Sequence, residues 1–143
     1  MENTYTGEER RRYPRLRVSI TVVYQIEKPS YVNVTLPHEG IEAVALDLSE
    51  GGIAILTDFY IPPTTPLSME FMLYESNSQD KFRFYRAVNV KGEVCDVAET
   101  GDGKYRVGIG FTQISAEDRA EISEFVRQGI SSQKPEAFSG GDS

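Results

Sequence analysis

The chain of 143 residues contains one cysteine, one histidine and no tryptophan. A single thiol, Cys95, cannot close a disulfide within the chain and suits a reducing compartment. The only histidine, His38, lies in a proline-flanked loop and reads as a solvated residue; Cys95, inside a strand, reads as a packed one. Without further Cys or His there is no metal-ligand spacing, and neither a P-loop nor a dinucleotide-binding glycine turn is present. Acidic neighbours such as Glu8 with Glu9, or Glu117 with Asp118, read as solvated charge. Catalysis, a metal and a cofactor are therefore not expected. The opening residues MENTYTGEERRR lack the apolar centre of a signal peptide, and no later run is long enough to span a bilayer. A soluble, cytoplasmic protein without membrane insertion is expected.

Positive charge is also scarce overall. The net charge of −7 argues against general affinity for nucleic acid, which needs a basic surface to release counterions from phosphate. Its distribution is uneven, however. Arg10, Arg11, Arg12, Arg15 and Arg17 follow one another with no acid among them, so a small anion could be held there on an otherwise acidic protein.

With 39% hydrophobic and 26% charged residues, the chain is long enough for one domain with a core of its own. Period-two alternation marks a strand from Val18 to Ile26, with Val18, Ile20, Val22, Tyr24 and Ile26 on one side. Two prolines and a glycine make the stretch from Glu27 to Gly40 a connection, with a short extended piece around Tyr31 to Thr35. Further strands are predicted at Ile41–Leu48, Ile53–Thr57 and Leu67–Glu75. Two more flank the hairpin turn TGDG, over Phe82–Glu99 and Lys104–Ile114. Six short strands with mostly hairpin-like links close most economically into a six-stranded antiparallel β-barrel, because closure removes exposed edges. From Ser115 the period changes to that of an amphipathic helix bearing Ile122, Phe125, Val126 and Ile130 on one face, opened by Ser115 and Asp118 in capping-box positions. The fold class is thus mainly β, with one C-terminal helix. Residues 1–9 and the polar tail 131–143 are expected to be disordered, leaving a domain over 10–130.

One stretch between the second and third strands stands apart. Asp47 and Ser49 of DLSEGG are two apart and so share a face, while Leu46 and Leu48 take the opposite one; inward leucines would aim the carboxylate and hydroxyl outward. By itself this stretch could simply initiate a turn, and the arginines could be a solvated terminus.

Taken together, Arg11-x-x-x-Arg15 before the first strand, Asp47-x-Ser49-x-x-Gly52 at the second turn, and a late GIGF strand followed by a helix resemble the PilZ domains, which bind the bacterial second messenger cyclic di-GMP. The resemblance covers roughly positions 10 to 130; the loop from Glu27 to Gly40 is longer than is usual in the family. It implies a cyclic di-GMP site formed by Arg10, Arg11, Arg15, Asp47, Ser49, Gly51 and Gly52, with Arg12 and Arg17 as secondary candidates. The chemistry agrees. An arginine fork can donate to O6 and N7 of guanine or clamp phosphate, and a carboxylate can accept from guanine N1 and N2, which excludes adenine. Gly51 and Gly52 would let backbone approach the ligand or form a turn that a Cβ obstructs. By resemblance, Arg10 favours an intercalated ligand dimer. The arginine segment shows no core contacts of its own, so ligand is expected to order it against the barrel. A stand-alone receptor acting on an effector protein in motility, biofilm or exopolysaccharide control follows from the resemblance. Two alternatives use the same fold: an adaptor independent of nucleotide, and a barrel binding single-stranded RNA, for which FRFYR offers aromatic residues among charges.

Overall fold

A computed structural model of the chain describes residues 13–27, 40–76 and 83–142. The predicted strands are all present: β1 (Leu16–Ile26), β2 (Ile41–Ser49), β3 (Gly52–Thr57), β4 (Pro66–Ser76), β5 (Arg83–Glu99) and β6 (Tyr105–Gln113). They close into an antiparallel barrel in the order β1-β2-β3-β6-β5-β4. The expected extended piece at Tyr31 to Thr35, and His38, lie outside the described residues.

Alternation builds the interior. Ile20, Val22, Tyr24 and Ile26 of β1 face Leu67, Met69, Phe71 and Leu73 of β4, Val88, Val90 and Val94 of β5, and Val107 and Ile109 of β6, all buried. Each such side chain withdrawn from water contributes about 1.5–3 kcal/mol, so the interior is the main source of stability. Tyr24, a phenol buried in this core, shares a 2.8 Å hydrogen bond with the Thr57 hydroxyl. Burial pushes its pKa above the ordinary value, a nearby Asp58 adds to this, and the Thr57 bond opposes it.

The helix α1 (Ala116–Asp142) begins where the capping residues indicate. The Asp118 amide donates to Ser115 Oγ at 3.0 Å, and the Asp118 carboxylate accepts from Arg86 of β5 at 3.0 Å, tying the first turn to the barrel. Ile122 and Val126 are buried against the core, with Phe125 and Ile130 partly so. The helix extends to Asp142. Among the described residues no helix is long and apolar enough to cross a membrane.

Two irregularities in the barrel set which side chains of β2 and β5 face outward. Ile41, Ala43 and Ala45 of β2 point inward, and strict alternation would send Asp47 in after them. Instead Ala45 lies opposite Ile55 and Asp47 opposite Ala54, so Leu46 is an extra residue in β2. Leu48 takes the next inward place, fully buried, and Asp47 turns outward. The expected pairing of Leu46 with Leu48 on the inner face is therefore broken: Leu46 is half-buried, because the bulge shifts parity by one. In β5, Val94 faces Ile109 and Asp96 faces Gly108, leaving Cys95 as the extra residue. Cys95, expected to pack, is exposed for that reason.

Candidate functional site

Past the bulge, β2 presents Asp47 and Ser49 on the outer surface of the barrel. On β3 the outward positions are Gly52 and Ala54; on β6 they are Arg106, Gly108 and Gly110, since Ile53, Ile55, Val107 and Ile109 point inward. Gly52 lies opposite Gly110, and Ala54 opposite Gly108. Four small residues on two neighbouring strands thus make a flat floor. Asp47, in register with Ala54, forms one wall, and Asp96, in register with Gly108, the other. Tyr13 and Arg15 close the end nearest the β2–β3 turn, completing a cleft of about 330 Å³.

Close packing forbids larger residues on this floor. A Cβ on Gly52 would come within 2.4 Å of the Ile109 carbonyl oxygen, and one on Gly108 within 2.7 Å of Asp96 Oδ1. A Cβ on Gly51 would lie 2.8 Å from the Tyr13 ring. Gly51 and Gly52 are therefore glycines because of what stands next to them, and neither adopts a left-handed φ.

Ser49 has a structural task. Its hydroxyl oxygen accepts from the amides of Gly51 at 3.1 Å and Gly52 at 3.2 Å, and the Gly51 carbonyl in turn accepts from the Phe111 amide at 3.0 Å. The turn is thereby pinned to β6 at the mouth of the cleft. Turn formation by Asp47-x-Ser49-x-x-Gly52 and a role at a binding face are not exclusive here; the hydroxyl shapes the turn that holds the cleft open.

Asp47 is gripped by a residue that the sequence reading missed. Arg106 Nη2 of β6 donates to Asp47 Oδ2 at 2.8 Å, reaching across β3 from its own register position at Leu56. The one sequence signal for Arg106 was parity: in RVGIG, Arg106 shares the outward face with Gly108 and Gly110. Asp96, Tyr13 and Cys95 also line the cleft and were not singled out as ligand contacts. No grouping of His, Cys, Asp and Glu suited to a metal occurs among the described residues.

Of the expected site residues, Arg15, Asp47, Ser49, Gly51 and Gly52 come together around one cleft. Arg10, Arg11 and Arg12 lie outside the described residues. Arg17 is exposed and in register with Asp47 but does not line the cleft. The expectation that the arginine segment lacks core contacts fails at its C-terminal end. Leu16, directly after Arg15, is buried in the core and seated on α1, where a Cβ on Gly129 would come within 2.4 Å of its side chain.

The PilZ domain family model matches residues 9–128, and the chain belongs to that family. Comparison with curated proteins finds no match. Among solved structures, the Bacillus subtilis inhibitor of motility MotI/DgrA is similar with a TM-score of 0.64 and 18% identity, over 87% of this chain and 52% of that one. The PilZ domain of YcgR from Escherichia coli, solved with c-di-GMP, is similar with a TM-score of 0.61 and 13% identity, over 90% and 97%. The K. pneumonia MrkH–c-di-GMP complex is similar with a TM-score of 0.61 and 19% identity, over 88% and 55%. The chain spans about half the length of MotI/DgrA and of MrkH. At these identities the likeness concerns the fold.

Proposed function

We propose that this chain is a receptor for cyclic di-GMP that relays the nucleotide's presence to a protein partner. The observation that supports this most is the convergence of Arg15, Asp47 and Ser49, from two separate motifs, on one cleft floored by Gly52, Ala54, Gly108 and Gly110. A planar purine can lie flat only where side chains are this small. Asp47 then accepts from the N1 and N2 donors of guanine, while Arg15, with Arg11, donates to O6 and N7 or to phosphate oxygens. Membership of the PilZ family, and the two similar structures solved with c-di-GMP, support the same ligand. Arg10 would favour an intercalated ligand dimer, with Arg12 as a further phosphate contact.

Output is proposed to pass through the arm and the helix. Leu16 sits between Arg15 and Gly129, so a ligand that draws Arg15 over the cleft also bears on the seat of α1. A partner reading that surface would couple the nucleotide to motility, biofilm or exopolysaccharide control; the likeness to an inhibitor of motility favours the first.

Calorimetric titration with cyclic di-GMP, GTP and a single-stranded oligonucleotide tests the reading. Cyclic di-GMP is expected to bind at micromolar concentration or below, a free energy of about −8 kcal/mol or stronger, with the other two silent. Saturation at two ligands per chain, shifting toward one in Arg10→Leu, would support the dimer. No heat at about 100 μM cyclic di-GMP, where a micromolar site would be saturated, removes the receptor reading, and binding of the oligonucleotide alone would replace it.

A further inference from the structure

The Arg106–Asp47 pair spans three strands. Neighbouring strands lie about 4.8 Å apart, so β6 and β2 are separated by roughly 10 Å, with β3 between them. Arg106 lies opposite Leu56 on β3, while Asp47 lies opposite Ala54, so the guanidinium crosses β3 diagonally, from the Leu56 row to the Ala54 row. The Asp47 side chain is 17% exposed and that of Arg106 41%, so water screens the pair and it adds little to stability. Its consequence is geometric.

Asp47 has another cation beside it: Arg17, its register partner on β1. A carboxylate free to turn toward Arg17 would present its oxygens away from the floor. With Oδ2 held by Arg106 of β6, the carboxylate is turned toward the β3 side rather than toward Arg17, which leaves Oδ1 for a ring lying on the floor. The same guanidinium occupies the edge of that floor with donors to spare.

We infer that Arg106 is a positioning residue that orients Asp47 toward the bound base and thereby sets selectivity for guanine. This rests on the cyclic di-GMP reading. It separates two jobs that a list of cations would merge: the arginines of the N-terminal segment grip the ligand, whereas Arg106 acts through Asp47.

The test compares cyclic di-GMP with its inosine counterpart, cyclic di-IMP, which lacks the N2 amino donor and is otherwise alike. Wild type is expected to prefer cyclic di-GMP by about tenfold or more, since the analogue leaves a carboxylate acceptor unmatched. Arg106→Gln should lower that preference to about two- or threefold while affinity for cyclic di-IMP changes little, and Arg106→Lys, which keeps a charge without the fork, should fall between. On an Asp47→Ala background, where the preference is already lost, Arg106→Gln should change it no further. Equal weakening of both ligands by Arg106→Gln would make Arg106 an ordinary phosphate contact and overturn the inference, as would an unchanged preference. If Arg106→Gln does not fold by circular dichroism, Arg106→Lys decides on the same criterion. Wild type that binds neither ligand overturns the receptor reading and this inference together; wild type that binds both equally overturns only the inference.

Discussion

Two glycine-rich turns lie at opposite ends of the β3–β6 pair, and they use glycine for different reasons. At Thr100–Lys104, Gly101 and Gly103 adopt φ of +95° and +87°, and a Cβ on either would meet nothing within 4 Å. The turn closes on itself: the Thr100 amide donates to the Lys104 carbonyl at 3.0 Å, and the Lys104 amide to the Asp102 carboxylate at 3.3 Å. At Glu50–Gly52 neither glycine has a positive φ, yet a Cβ on either would strike a neighbour. One turn needs glycine for its own backbone; the other needs it for residues more than thirty positions away. A turn of the first kind is a connection, whereas the second here lines the cleft.

Substitutions can break this contrast, and the largest effect is expected at Gly52. Gly52→Ala forces a Cβ against the Ile109 carbonyl, a backbone atom that cannot swing aside, and should cost about 1–3 kcal/mol in chemical denaturation together with cyclic di-GMP binding. Gly103→Ala meets no neighbour but must hold a left-handed φ, for about 1 kcal/mol, and should leave binding unchanged. If binding falls there too, the two turns are not independent.

Tyr24→Phe examines the anchorage of the end of β3 that lies beside the TGDG turn. Loss of the hydrogen bond to Thr57 should cost about 0.5–1.5 kcal/mol at neutral pH. The pH dependence carries a second sign. The folded phenol has its pKa raised above 10.0, so its contribution is complete below that value and is lost as pH rises through the folded pKa. Denaturation midpoints of wild type should therefore decline more steeply above pH 10 than those of Tyr24→Phe; parallel curves would contradict a buried, protonated Tyr24.

The smallest stability effect is expected for Gly51→Ala. Its Cβ meets only the Tyr13 ring, which can rotate away, so the melting curve should shift by less than the equivalent of about 0.5 kcal/mol. Displacing Tyr13 from the cleft should nonetheless weaken cyclic di-GMP severalfold in titration. A variant as tight as wild type would show that Tyr13 is not part of the binding face.

Local signals were strong where the physics is local. Period-two alternation located β1 and β4, the EGG and TGDG turns bounded β3, β5 and β6, and Ser115 and Asp118 located the start of α1, because each depends on neighbours within a few residues. The two motifs were also legible, as was their placement at a strand start and a strand end. Legibility failed at Leu46 and Cys95, since a bulge is defined by counting residues against a partner strand, and that partner is chosen by the barrel. It failed at Arg106 for the same reason, its partner Asp47 being 59 positions away.

By itself, then, the amino-acid sequence determined which segments extend, where they turn, and which residue types were available to the proposed guanine site. Only the closed barrel decided which of them meet. Its order places β3 between β2 and β6, so that Asp47, Ala54 and Gly108 form one row, and Arg106, in the next row opposite Leu56, can reach the Asp47 end of it. Strand alternation is a property of one backbone, but a cleft is made from several, held at spacings that hydrogen bonding between strands imposes.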